Sequence, residues 1–206
     1  GITGEWGVGK SSLLNLFARD RKREDQIVIR FAPRNAKKVD LIQEEFFAEL
    51  TNELEKYSCN AHYLIGKYLY ALNIDSSTKW IYYIADWFTH WTAESKKAQI
   101  NDMIRMADRK LYVIIEDLDR LTGPEIIEVL KLIDANGNFC NTVFLSAYDK
   151  TYVNSVLREH IKYTISRPDF TDKYFQYEFP LFQQQREILY GYLHKYIYNW
   201  ALQTAK

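Results

Sequence analysis

The chain has 206 residues, 47% of them hydrophobic and 26% charged, so it carries enough apolar material for one sizeable core, and its composition excludes a disordered chain. Formal net charge is zero, which excludes the overall basic bias of a protein that neutralises many nucleic-acid phosphates. Cys59 and Cys140 stand far apart with no second Cys or His at ligand spacing, so neither a disulfide framework nor a zinc site is indicated, and a reducing, cytoplasmic setting is expected.

The chain opens on "GITGEWGVGKSS", a glycine-rich loop with only Gly1 to Thr3 ahead of it as the end of a strand. With no initiator methionine this is expected of a fragment of a longer protein, and an upstream extension is expected to tighten ligand binding. "SSLLNLFARD" then places Leu13, Leu14, Leu16 and Phe17 at helical spacing, and "QIVIRF" (Gln26 to Phe31) is a short β-branched run that reads as the next strand. Between them "RDRKREDQ" mixes both signs of charge and reads as a solvated turn.

From Asp40 to Tyr57, Ile42, Phe46, Phe47, Leu50 and Leu54 recur at steps of three or four, predicting an amphipathic helix capped by Asp40. Asn60 to about Met106 predicts two or three further helices, which make up a helical insertion over about 58–107. Trp80, Ile84, Trp87 and Trp91 share one face of it, suited to packing, to a partner or to a membrane surface. Lys79, Asp86 and Glu94 interrupt it, so no stretch is long and apolar enough to span a bilayer.

"LYVIIEDLDRL" begins with an unbroken apolar run, Leu111 to Ile115, expected of a central parallel strand buried on both faces. "TGPEIIEVLKLID" combines Thr122, Pro124 and Glu125 as a capping-box helix start, with the helix expected to reach about Asp134. A second buried strand is predicted at Thr142 to Tyr148, a helix at about Lys150 to His160, and a further strand within "KYFQYEFPL". Ile188, Tyr192, Tyr196 and Trp200 predict a last helix. The alternation of strands and helices predicts one α/β domain over residues 1–206, a three-layer sandwich around a mainly parallel sheet.

Gly4, four residues, then Gly9-Lys10-Ser11 satisfies the phosphate-loop spacing. Glycines let the backbone wrap so that successive N–H groups face phosphates, and the following helix adds its positive end. Gly4, Glu5, Trp6, Gly7, Val8, Gly9, Lys10, Ser11 and Ser12 are therefore the candidate nucleotide-binding residues. Lys10 is suited to the β- and γ-phosphates and the Ser11 hydroxyl to Mg²⁺. The paired acids about a hundred residues on complete the pattern: counting four apolar residues and then an acid selects Glu116 for the metal, and leaves Asp117 to polarise the attacking water. Asp119 competes with both for the metal, or caps the next turn. Arg120 pairs locally or reaches a neighbouring subunit's nucleotide, and Asp149, ending the next strand, senses the phosphate or caps a helix. None of the four histidines has a catalytic setting in sequence.

With these motifs in view, "GEWGVGKSSLLNLF", "VIIEDLDRL", "TVFLSAYD" and "YFQYEFPL" together resemble the KAP family of P-loop NTPases along nearly the whole chain. The resemblance implies a Mg²⁺-dependent ATPase core, working as a switch or motor within a longer protein, in some members membrane-associated and in some bacterial members acting in phage exclusion. The other domains of that protein are the expected partners, and a homo-oligomer is left open. Two departures stand out: Glu116-Asp117 replaces the family's usual paired aspartates, and Phe31-Ala32-Pro33-Arg34 lacks the tryptophan usual after the proline. Two rival readings are an ATP-binding scaffold with little hydrolysis, suggested by Glu116, and a small-molecule kinase, suggested by "GITG" and opposed by "EDLDR".

Overall fold

Five consecutive apolar residues form the central strand β3, Leu111–Ile115, and all five are buried, as a strand covered on both faces requires. In this computed structural model, which describes residues 1–36, 38–58, 60–71, 93–160, 169–182 and 190–198, β3 is flanked by β2 (Ile27–Phe31) and β4 (Thr142–Tyr148). β1 (Ile2–Thr3) pairs with the end of β4, and β5 (Phe179–Pro180) forms the edge, so the order is β2-β3-β4-β1-β5 with every pairing parallel. In the register Val113 lies opposite Ile29 on one side and Phe144 on the other.

Alternation along the strands divides the core in two. Ile27, Ile29 and Phe31 with Leu111, Val113 and Ile115 face the larger cluster. There they meet α2 (Ile42–Leu54), α3 (Ala61–Ala71), α4 (Ala93–Met106), α5 (Gly123–Asn136) and α6 (Lys150–His160). Val28, Tyr112 and Ile114 face the smaller cluster, which Leu14 and Ala18 of α1 (Lys10–Arg23) close. The result is the expected three-layer α/β sandwich around a parallel sheet.

The predicted stripe of α2 is the buried one: Ile42, Phe46, Phe47, Leu50 and Leu54 are at most 1% exposed, and Phe46 packs edge-on against Phe31 and Phe47. Its start differs. Asp40 sits inside a 3₁₀ turn, Val39–Leu41, and Leu41 occupies the cap position without a side-chain cap, because the turn itself feeds the chain into the helix. α5 begins as predicted, with Glu125 accepting from the Thr122 N–H at 2.7 Å, and runs two residues past Asp134. The strand expected within Lys173 to Leu181 is two residues long, Phe179–Pro180, paired with Ile2 and Thr3 and preceded by a 3₁₀ turn at Thr171–Lys173.

α3 and α4 fall within the range expected for the insertion; the face carrying Trp80, Ile84, Trp87 and Trp91 lies outside the described residues. So do Ile188 and Trp200. Residues 190–198 are helical, with Tyr192 and Tyr196 at least 70% exposed.

Candidate functional site: the phosphate-loop cavity

The segments that follow the C-terminal ends of β1 and β3 converge on one cavity because parallel strands all point the same way, and an open parallel sheet presents its ligand site at that edge. The loop after β1 is anchored by the Gly4 N–H donating to the Tyr148 carbonyl at 3.2 Å. Gly4 is required by proximity: a Cβ there would lie 2.6 Å from the Leu181 carbonyl oxygen. Gly9 is required by conformation, since at φ 101° it lies in the left-handed region while nothing crowds it. That residue turns the chain straight into α1, so the first N–H groups of the helix open toward the cavity.

The cavity measures about 270 Å³ and is lined by Trp6, Gly7, Gly9, Lys10, Ser11, Ser12, Asp117, Asp119 and Arg120. Six of the nine predicted nucleotide-binding residues therefore line it. Gly4, Glu5 and Val8 instead line a second hollow on the β5 side of the loop, beside Asp149 and Leu181. Gly4 and Glu5 still act on the first cavity through their carbonyls, which accept from the Lys10 ammonium at 2.8 and 3.1 Å.

The acids at the end of β3 part company for a backbone reason. Glu116 continues the strand, its N–H donating to the Phe31 carbonyl at 3.0 Å, and alternation puts its side chain on the same face as Arg30 of β2. Arg30 grips that carboxylate through both Nε and Nη2. Asp117 then adopts a left-handed backbone, φ 54° and ψ 37°, a conformation that Asp tolerates better than most side chains. The reversal starts a 3₁₀ turn, Leu118–Arg120, which buries Asp119 and aims it back at the loop.

Asp119 meets Lys10 at 3.3 Å, with the two side chains 7% and 10% exposed, and also accepts the Asp149 N–H at 3.0 Å. Asp117 is paired with Arg120 at 3.5 Å. Arg120 thus makes the local pairing expected of it, and its guanidinium also lies over the Trp6 ring, 5.5 Å from the centroid. Asp149 caps α6, accepting from the Tyr152 N–H at 3.1 Å.

Sequence reasoning passed over Arg30 and the Lys10–Asp119 pair. A signal existed for the first: Arg30 is the one charge inside the apolar run "IVIRF", on the face that Glu116 shares. The second depends on the turn at Asp117, which spacing does not reveal.

A model of the KAP family P-loop domain matches residues 1–204. The chain belongs to the KAP family of P-loop domains. Among solved structures, a match of TM-score 0.45 and 13% identity is to the ORC2 protein of Aeropyrum pernix in its ADPNP-ADP complexes; it covers 87% of this chain and 40% of that one. No curated protein matches the chain. As a P-loop domain the chain carries the fold and loop of a nucleotide-binding module. No helix among the described residues is long and apolar enough to cross a membrane.

Mg²⁺ would meet few protein donors here, and each carboxylate among them is paired with a cation. Among the described residues no three His, Cys, Asp or Glu side chains gather as a metal cage. Ser11 with Glu116, Asp117 and Asp119 in one recess beneath the loop offers a hydroxyl and carboxylates, the few protein oxygens that Mg²⁺ takes when phosphates and water supply the rest.

Proposed function

We propose that this domain binds and hydrolyses ATP with Mg²⁺ and acts as a nucleotide-driven switch or motor module within a larger protein of signalling or phage-defence type. The observation that carries the reading is the convergence of Lys10, Ser11, Asp117 and Asp119 on one cavity at the N-terminus of α1. Lys10 neutralises the β- and γ-phosphates, and the N–H groups of Gly7 and of Gly9 to Ser12, which line the cavity, orient them. Ser11 and an acid just after β3, Glu116 in the reading from motif spacing, would hold the metal. Mg²⁺, when bound, draws charge from the phosphate oxygens.

Asp117 accepts a proton from the attacking water, whose oxygen bonds to the terminal phosphorus while the bond to the bridging oxygen breaks, giving ADP and phosphate. The expected partners are the other domains of the full-length protein and further copies of this chain. The expected setting is the cytoplasm, with membrane attachment supplied from outside this domain.

Lys10→Ala tests the reading by calorimetric titration with Mg·ATP below the variant's melting range. Binding should be lost, and unchanged affinity would overturn the assignment. A second reading, an ATP-binding scaffold with little turnover, is favoured by the grip of Arg30 on Glu116, which engages the carboxylate chosen for the metal. Single-turnover hydrolysis separates the two: a phosphate yield indifferent to Asp117→Asn selects the scaffold.

A further inference from the structure

The cavity neutralises its own charges. Its two cations, Lys10 and Arg120, each face a carboxylate of the β3 turn, Asp119 at 3.3 Å and Asp117 at 3.5 Å. A polyphosphate carries several negative charges, so entering here it competes with both carboxylates for both cations.

The two cations are not equivalent. Lys10 is 10% exposed and tied to two loop carbonyls, so it is placed for any nucleotide the loop accepts. The Arg120 side chain is 45% exposed and rests at the rim, its guanidinium over a Trp6 ring that is itself 65% exposed. Contacts of that kind are weak in water, so the guanidinium leaves them at small cost. Its present partner also fixes its position. If Asp117 activates the water that attacks the terminal phosphorus, a group 3.5 Å from Asp117 stands beside the terminal phosphate and beyond the reach of a diphosphate.

We propose that Arg120 reads the terminal phosphate of the nucleotide bound to its own chain, with the Trp6 ring as its resting platform and Asp117 as the partner it gives up. A triphosphate draws the guanidinium off Asp117, and the carboxylate becomes free to take a proton from water. A diphosphate leaves the pair closed. The same movement that registers ATP therefore releases the base, and no second subunit is needed to supply the arginine. This inference rests on the nucleotide reading above.

The test is titration of the wild type, Arg120→Ala and Arg120→Lys with Mg·ATPγS and with Mg·ADP. Arg120→Ala should weaken ATPγS about 10- to 100-fold, the scale of a lost charge-assisted hydrogen bond, and leave ADP within about twofold. Arg120→Lys, which keeps the charge without the planar fork, should fall between. Trp6 emission, isolated by subtracting the Trp6→Phe spectrum from that of the five-tryptophan wild type, should change with ATPγS and stay constant with ADP.

Equal losses for both nucleotides in Arg120→Ala, or no loss for ATPγS, would overturn the proposal, as would a Trp6 signal that ADP reproduces. If Arg120→Ala fails to fold, the wild-type Trp6 signal decides. A wild type that binds neither nucleotide removes the underlying reading, and the proposal with it.

Discussion

Lys10→Ala should destabilise the protein even where no nucleotide is involved. The substitution removes one half of an ion pair whose side chains are 10% and 7% exposed and 3.3 Å apart. At an effective dielectric constant of about 20, that attraction is worth roughly 5 kcal/mol, and the desolvation of both groups offsets much of it. What remains is Asp119, buried and supported by the Asp149 N–H alone, so a net loss of about 2 kcal/mol is expected. In a chain of this length that lowers Tm by about 4–8 °C.

The assay is thermal unfolding followed by far-UV circular dichroism for Lys10→Ala, Asp119→Asn and the double variant. Asp119→Asn removes the charge that Lys10→Ala strands, so the double variant should melt above Lys10→Ala. A wild-type Tm for Lys10→Ala, or a double variant whose loss is the sum of the singles, would refute the argument.

Gly4→Ala should cost about 1–3 kcal/mol and weaken nucleotide binding together, because the new methyl strikes the Leu181 carbonyl, which belongs to backbone and cannot rotate away; paired melts and titrations check it. Phe46→Ala should cost about 3–5 kcal/mol in urea unfolding, since the ring is fully buried against Phe31 and Phe47. The acid limb of stability should depend on Glu178. Burial opposes its ionisation, yet hydrogen bonds from Lys150 and Tyr148 hold its carboxyl below the usual range. A carboxyl lowered on folding contributes stability that is complete above its unfolded pKa and fades as pH falls through the folded one. Glu178→Gln should therefore flatten the loss of Tm below about pH 4, and an unchanged slope would count against the network.

The parts legible in the sequence are those set by short-range periodicity. β3 begins and ends where its unbroken apolar run does, β4 keeps its expected bounds although only Ser146 to Tyr148 are buried, and α2 buries the stripe its spacing marks. The family follows from the loop and acid motifs together. What escaped depends on through-space events. Asp119 looked like a turn cap because its partner lies 109 positions away and is reached only through the left-handed residue before the turn. Asp40 looked like a cap because a 3₁₀ turn and a helix share the same local pattern. β5 pairs only at Phe179 and Pro180, opposite Ile2 and Thr3, a partner that its own residues do not encode.

The sheet order has a mechanical consequence. Because β5 lies next to β1, the Leu181 N–H donates to the Thr3 carbonyl at 2.6 Å, and the Leu181 carbonyl abuts Gly4. The chain that departs after Leu181 is thus tethered one peptide from the phosphate loop, on the flank away from the acids. Tension on that departing segment reaches the cradle through the hydrogen bond from Leu181 to Thr3, at a residue that also packs against the smaller core. A load on one side and a charge on the other act on the same few loop residues, which is the arrangement of a hinge pin with two handles.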